Sequence, residues 1–151
     1  MATITLITEL KATPAQCFDA SRNLDLHVSS MAHTGEKVVA GRTAGLIEMG
    51  EQVTWEAQHF GVRQRFTSKI TAFDSPNYFQ DSMVQGAFRS FVHDHYFDPA
   101  PNGTVMKDVI NFQSPLGFIG RVVDRLIMAS YLKRLILARN LSIKEALECA
   151  T

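Results

Sequence analysis

The sequence predicts an α+β protein in which a curved antiparallel sheet wraps a long C-terminal helix around an internal pocket. Three observations lead to this fold class. Apolar and polar residues alternate along several segments, short polar turns join these segments, and one long helical segment follows Pro115. Strands joined by short turns pair in antiparallel fashion, because a parallel sheet needs much longer crossover connections.

Composition fits one domain, which we predict to cover residues 1–151. The chain is 46% hydrophobic, and its 15 Lys and Arg residues balance 15 Asp and Glu residues, so charge does not favour nucleic acid as a partner. The N-terminal residues alternate apolar and Thr, which is typical of a strand and not of an export signal. No stretch is apolar enough to span a membrane. We therefore predict a cytoplasmic protein without a transmembrane segment.

The first elements are one strand and two short helices. Thr3 to Leu10 alternates and predicts the strand. Thr13, Pro14 and Gln16 then form a capping-box sequence, which predicts a helix of about two turns. Asn23 is a good N-cap for a second short helix.

Six further segments predict strands, which brings the sheet to about seven. They are Gly35 to Ala40, Glu51 to Gln58, Val62 to Ala72, Tyr78 to Val84, Ala87 to Phe97 and Thr104 to Phe112. In the segment from Val62, the alternation places Phe66, Ile70 and Ala72 on one face.

The C-terminal segment predicts one continuous helix from a Ser114 N-cap and Pro115 to about Glu148. A period of 3.6 residues predicts an apolar stripe facing the sheet, with Arg139 on the opposite side. The stripe consists of Ile119, Val122, Val123, Leu126, Ile127, Ser130, Leu137 and Leu141. Four other apolar residues fall outside it and predict a homodimer or another protein contact through this helix: Met128, Leu132, Leu135 and Ile136.

The order of elements is similar to that of the helix-grip fold, which START lipid-binding domains, the birch-pollen allergen family and polyketide cyclases share. More closely, the chain resembles the bacterial SRPBCC ligand-binding proteins of the polyketide cyclase/dehydrase-like subgroup. The likeness rests on the segment Val53 to Gly61, Pro76 with Phe79 to Met83, Gly86 to Phe88, His93 to Phe97, Gly103 and Thr104 with Asp108, and Pro115 to Gly117 with Gly120.

This resemblance implies a cavity between the concave face of the sheet and the long helix. The apolar residues expected to line this cavity predict a non-catalytic carrier or sensor of a hydrophobic small molecule such as a lipid, an isoprenoid or an aromatic metabolite, and we predict no cofactor. The superfamily contains carriers, receptors, cyclases and dehydratases on one scaffold, so the fold alone does not identify a substrate.

Strand parity identifies a polar spot in the expected cavity. We predict that the strand face bearing His93 and His95 points inward, because the opposite face carries two aspartates. Asp108 lies on an otherwise apolar face of the last strand, and Asp81 occupies a similar position on an earlier one. The predicted ligand-binding residues are Trp55, Phe66, Asp81, Met83, Arg89, Phe91, His93, His95, Met106, Asp108, Ile110 and Ser130.

Three roles for this polar spot stay open. It can orient the head group of a ligand, or it can be a buried network in which Asp108 pairs with Arg89 or a histidine. The third role is catalysis of a cyclase or dehydratase type by His93 or His95 with Asp108. The His-x-His spacing can also chelate a metal with Asp108 or His59, but that spacing is common in strands, and we predict no metal site.

Overall fold

The computed structural model describes residues 1–149; residues 150 and 151, which the domain prediction includes, lie outside the described part. The strands are β1 (Ala2–Leu10), β2 (Lys37–Gly41), β3 (Gln52–His59), β4 (Val62–Asp74), β5 (Tyr78–Gln85), β6 (Ser90–Ala100) and β7 (Gly103–Gln113). The helices are α1 (Pro14–Ser21), α2 (Leu24–Ser30), a 3₁₀ turn (Ala32–Thr34), α3 (Gly117–Val123), a π-helical turn (Asp124–Met128) and α4 (Ala129–Glu148).

All seven strands form one antiparallel sheet in the order β1-β7-β6-β5-β4-β3-β2. Each strand from β2 to β7 pairs with its neighbour in sequence, and β1 crosses to pair with β7. α4 packs against β1, and α1 and α2 pack against α4. The predicted fold class, a curved antiparallel sheet around a long C-terminal helix with two short helices after the first strand, is confirmed.

The two short helices begin where the sequence predicts. The Thr13 hydroxyl accepts from the Gln16 amide while the Gln16 side chain accepts from the Thr13 amide, which completes the capping box. The Asn23 side chain caps α2. α1 also supplies the centre of the larger core, because the Phe18 ring is fully buried and packs edge-on against the ring of Phe97 at 5.5 Å.

A β-bulge in β4 changes one predicted face. Ile70 pairs with Asp81, but the next paired residue is Ala72, so Thr71 is the extra residue. The side-chain alternation shifts by one at this point, and Phe73 packs against the core where Ala72 was expected. Phe66 and Ile70, which precede the bulge, lie on the predicted inner face.

The C-terminal helix begins later than predicted. Ser114 does not cap the helix. The Ser114 amide and hydroxyl both donate to the carboxylate of Asp124, which lies 10 residues later in the chain. The helix starts at Gly117, and the π-helical turn at Asp124–Met128 interrupts it. A π turn inserts one extra residue, so a single 3.6-residue period does not describe the whole segment.

The predicted orientation of this helix is wrong. Most of the stripe expected to face the sheet is exposed instead: Ile119 65%, Val122 42%, Leu126 70%, Ile127 53%, Leu137 46% and Leu141 52%, with Ser130 also exposed. Met128, Leu132, Leu135 and Ile136 face the interior, and Arg139 is buried among them. Arg139 and Asn140 are polar residues on the inward face. A polar face is normally the solvent side of a helix, so the sequence predicted the wrong orientation.

The predicted homodimer contact therefore loses the four residues on which it was based, because they face the interior and not a partner. No helix within residues 1–149 is long and apolar enough to cross a membrane.

Candidate ligand-binding site

A cavity of about 320 Å³ lies between the concave face of β3 to β6 and the inward face of the C-terminal helix. α2, the residues on either side of it and the turn before β6 contribute the remaining wall. Most of the lining is apolar: Leu24, Met31, Ile47, Val53, Trp55, Ala57, Phe60, Phe66, Ile70, Phe79, Ala87, Phe88, Phe91, Met128, Leu132, Leu135 and Ile136.

Half of the twelve predicted ligand-binding residues line this cavity, namely Trp55, Phe66, Asp81, Phe91, His93 and His95. The expectation that His93 and His95 point inward is confirmed, because they are 4% and 2% exposed. Their role in binding stays a prediction.

The other six predicted residues do not line the cavity. Met106 and Ile110 are packed in the core, and Asp108 is buried behind the histidines. Met83 lies on β5 beyond the cavity wall. Arg89 is exposed because β6 begins only at Ser90, and Ser130 is exposed on the outer side of α4.

A polar cluster stands at one side of the cavity, consisting of Asp81, His93, His95, Asp108, Arg139 and Asn140. Strand register places its members together: β5 pairs Asp81 with His93, and β7 pairs Asp108 with His95. The hydrogen bonds run diagonally. His93 Nε2 lies 2.7 Å from Asp108 Oδ1, and His95 Nε2 lies 2.6 Å from Asp81 Oδ2. The two imidazoles stack with their ring centres 3.7 Å apart.

Asp108 is the anchor of the cluster. It is 1% exposed, and it accepts from Arg139 Nη2 at 3.2 Å and from Asn140 Nδ2 at 2.9 Å in addition to His93. Burial alone would raise the pKa of Asp108, but the Arg139 charge and the histidine contacts hold the pKa well below its usual value. Of the two partners predicted for Asp108, the histidine is confirmed as His93, while Arg89 is wrong and Arg139 takes its place.

His95 lies between two carboxylates. Its Nε2 bonds Asp81, while its Nδ1 lies 3.3 Å from Asp108 Oδ1 without the alignment of a hydrogen bond. Burial favours the neutral imidazole, yet the two carboxylates raise the pKa of His95 above its usual value. Burial also opposes ionisation of Asp81, but the contact with His95 lowers the pKa of Asp81. The pair therefore favours a protonated imidazole beside an ionised carboxylate.

His93 has the opposite tendency. Burial and the neighbouring charge of His95 lower the pKa of His93 to about 4, against the pull of Asp108. His93 is thus neutral near pH 7, with one protonated and one unprotonated ring nitrogen.

The cluster contains one candidate set of metal donors, because ligand atoms of Asp81, His93 and His95 lie within 4.8 Å of one another. However, Asp81 Oδ2 already bonds His95. The stacked imidazole planes are inclined by only 25°, so their in-plane lone pairs do not converge on one point. His59, the other predicted ligand, bonds the Tyr131 hydroxyl through Nδ1 at 2.5 Å. We assign no metal to the cluster.

Sequence reasoning missed several lining residues. The signal for Arg139 was available: a buried acid on an apolar strand face needs a cationic or hydrogen-bonding partner, and Arg139 continues the spacing of Leu132, Leu135 and Ile136. His27 stacks on Trp55 with ring centres 4.4 Å apart and bonds Glu36 at 2.8 Å, which closes another part of the wall. No local sequence pattern indicates that contact.

Comparison of the structure with solved proteins identifies its fold. Protein TTHA0849 from Thermus thermophilus superposes with a TM-score of 0.74 at 16% identity, over 96% of this chain and 99% of the other. The ginseng major latex-like protein 151 from Panax ginseng gives a TM-score of 0.70 at 17% identity, over 97% of each chain. Ara h 8.0201 gives a TM-score of 0.67 at 15% identity over 98% of each chain. The protein has the helix-grip fold.

The resemblance drawn from the sequence is therefore confirmed at the level of the fold. No family model matches the sequence, and no curated protein matches it. At identities of 15% to 17%, these neighbours indicate the fold alone and no specific ligand for this chain.

Proposed function

We propose that this protein binds a hydrophobic small molecule, such as a lipid, an isoprenoid or an aromatic metabolite, and acts as its carrier or sensor. The cavity of about 320 Å³ and its mainly apolar lining carry this proposal. Protein interiors are close-packed and contain few voids larger than a water molecule, so a space of this size is typical of a ligand site. The cytoplasmic location predicted from the N-terminal sequence belongs to the same proposal.

Native mass spectrometry of freshly purified protein tests the proposal directly. We expect a co-purified apolar molecule, or a raised melting temperature with members of a panel of lipids and aromatic metabolites. A ligand at about 100 times its Kd stabilises the native state by about 2.7 kcal/mol. Protein that is empty and shows no shift with any panel member would overturn the proposal.

A cavity-filling variant locates the binding. Ala57 is 3% exposed and lines the cavity, so Ala57→Phe places a ring in the ligand space. We expect this variant to fold and to lose binding. Thr5→Phe is the matched control, because Thr5 is exposed on β1 and the same ring there projects into solvent. Equal binding by a folded Ala57→Phe protein would place the ligand elsewhere.

The second candidate function is a cyclase or dehydratase type of enzyme. The observation that favours it is the bond of 2.7 Å between His93 and Asp108, since a neutral imidazole held by a carboxylate can act as a general base. Once a bound molecule is known, its conversion can be followed by mass. His93→Gln and Asp108→Asn should then abolish turnover, and unchanged turnover would remove this candidate.

The third candidate is a protein contact, including a homodimer, through the exposed apolar stripe of the C-terminal helix. Ile119, Leu126 and Ile127 are more than half exposed on this stripe. Arg121 and Arg125 are exposed on the same segment, so a two-fold contact would bring like charges together. A homodimer should therefore strengthen with added salt. Light scattering that shows a monomer at all protein and salt concentrations would exclude it.

A further inference from the structure

Two hydrogen-bond acceptors of the polar cluster are open to the cavity. Asp81 Oδ2 bonds His95, but no group within residues 1–149 bonds Asp81 Oδ1, and the Asp81 side chain is 20% exposed. His93 Nδ1 also has no partner in the described part of the chain, although His93 is only 4% exposed. Both residues line the cavity. Neither atom is itself fully buried, so both are accessible from the cavity, where a ligand or water can satisfy them.

The contact with Asp108 defines which nitrogen of His93 carries the proton. A carboxylate only accepts hydrogen bonds, so His93 Nε2, at 2.7 Å from Asp108, must be the protonated nitrogen. In the neutral ring Nδ1 is then unprotonated and presents a lone pair. The lowered pKa of His93, about 4, agrees with this neutral form at pH 7.

The charge of the cluster limits the ligand further. Asp81 and Asp108 supply two negative charges and Arg139 one positive charge, and a protonated His95 adds a second positive charge. The total lies between one negative charge and zero, so nothing in the cluster favours an anion. A carboxylate head group would also lack the proton that the two open acceptors need. A cationic head group would have to lose its water in a mainly apolar cavity, and both carboxylates are already paired, Asp108 with Arg139 and Asp81 with His95.

We propose that the cavity selects a neutral apolar ligand that carries a hydroxyl group, and that this hydroxyl donates its proton to His93 Nδ1 beside the Asp81 carboxylate. The proposal rests on the proposed function, since it requires that the cavity is a ligand site. It adds the chemical class of the ligand: alcohols and phenols are favoured over fatty or aromatic acids and over apolar molecules without a donor.

Four two-ring probes of nearly equal size test this selection: naphthalene, 2-naphthol, 2-methoxynaphthalene and 2-naphthoate. Isothermal titration calorimetry or competition with a neutral fluorescent probe gives the four Kd values. A net hydrogen bond contributes on the order of 1 kcal/mol, so 2-naphthol should bind roughly fivefold to tenfold more tightly than 2-methoxynaphthalene. The acid 2-naphthoate should bind more weakly than 2-naphthol by at least about tenfold, because it adds a buried negative charge without a donor.

His93→Leu removes the Nδ1 acceptor, and Asp108 keeps its bonds from Arg139 and Asn140 in this variant. We expect this variant to bind naphthalene at least as tightly as the wild type and to lose the preference for 2-naphthol. His33→Leu is the matched control. His33 is exposed in the 3₁₀ turn Ala32–Thr34 and does not line the cavity, so its replacement should leave the preference intact.

The outcomes distinguish failure of the hydroxyl selection from failure of the apolar ligand site. If naphthalene binds and 2-naphthol binds no more tightly than 2-methoxynaphthalene, the hydroxyl selection is wrong while the apolar site stands. A preference that survives in folded His93→Leu, or tighter binding of 2-naphthoate than of 2-naphthol, also overturns the selection. If none of the four probes binds, the proposed function fails and the selection fails with it.

Discussion

At the scale of single residues, Asp108 is the most consequential buried side chain. Asp108→Asn keeps its shape but removes the charge that pairs with Arg139, which is 4% exposed. Breaking a buried pair on one side leaves the other charge uncompensated and costs about 3–5 kcal/mol. We expect urea denaturation to show a loss of that size in the free energy of unfolding.

Asp19→Asn is the control for this measurement. Asp19 pairs with Arg22 at 2.9 Å, but half of its side chain is exposed, so the loss should be at most about 1 kcal/mol. Similar effects for Asp19 and Asp108 would show that the buried cluster contributes no more than a surface pair.

The opposite pKa shifts of the two histidines predict a distinct pH dependence. His93 titrates near 6.5 in the unfolded chain and near 4 in the fold, so between these values the unfolded state binds more protons and stability falls as the pH falls. The raised pKa of His95 has the opposite sign: its contribution is fully present below 6.5 and is lost as the pH rises through the folded pKa. The lowered pKa values of Asp81 and Asp108 have the same sign as that of His93: their contribution is present above the unfolded value of 3.8 and is lost as the pH falls through the folded pKa.

His93→Gln removes the first of these contributions. Between about pH 7 and about pH 4, the wild type should lose up to about 3 kcal/mol of unfolding free energy relative to this variant. Urea denaturation of both proteins at a series of pH values measures the difference. Parallel pH profiles would contradict the assignment of a neutral buried His93.

The polar cluster also shows which side-chain positions can be predicted from the alternation of residues along a strand. Alternation along β6 and β7 was enough to predict that His93, His95 and Asp108 face inward, because side chains on a strand alternate without exception unless a bulge intervenes. The same reasoning failed for Arg89, which precedes the first residue of β6. Arg139 was missed because the helical stripe put it on the solvent side, although a buried Asp108, 31 positions away, needs a cationic or hydrogen-bonding partner.

At the scale of elements, the C-terminal helix carries two apolar stripes, and the structure buries the one that the sequence ranked second. Leu132→Ala should cost about 2–5 kcal/mol, because Leu132 is 8% exposed and packs against Ile110 and Phe112. Leu126→Ala is the same substitution on the other stripe, where Leu126 is 70% exposed, and should change stability by less than about 1 kcal/mol.

Comparing the unfolding free energies of the two variants tests which face of the helix packs against the sheet. A larger loss for Leu126→Ala would restore the orientation expected from the sequence. The error arose because helical periodicity identifies apolar faces but does not state which face the sheet covers. The inward face contains Arg139 and Asn140, and their bonds to Asp108 offset the cost of burying these polar groups.

At the scale of the whole molecule, the order of elements and a cavity between the sheet and the long helix were predictable, but the residues that line the cavity were predictable only in part. Capping sequences, turn residues and alternation are local signals, and they specify the strands and short helices to within a few residues. The cavity depends on which faces meet. One half of the molecule is densely packed: alternate residues along β7 are buried, from Thr104 to Phe112, and β7 is flanked on both sides by β1 and β6. The other half, around β3, β4 and Met128 to Ile136, surrounds the cavity.

This asymmetry predicts how hydrogen exchange divides the molecule. Elements next to a cavity lack packing partners on one side, so they should open with a lower free energy than the densely packed half. In ligand-free protein, we expect amides of β7 to exchange most slowly, at rates near those of global unfolding. We expect faster exchange in β3, β4 and Met128 to Ile136. Bound ligand supplies the missing contacts, so adding 2-naphthol should slow exchange in the cavity half more than in β7. Equal protection of both halves before and after ligand addition would show that the cavity does not weaken the elements around it.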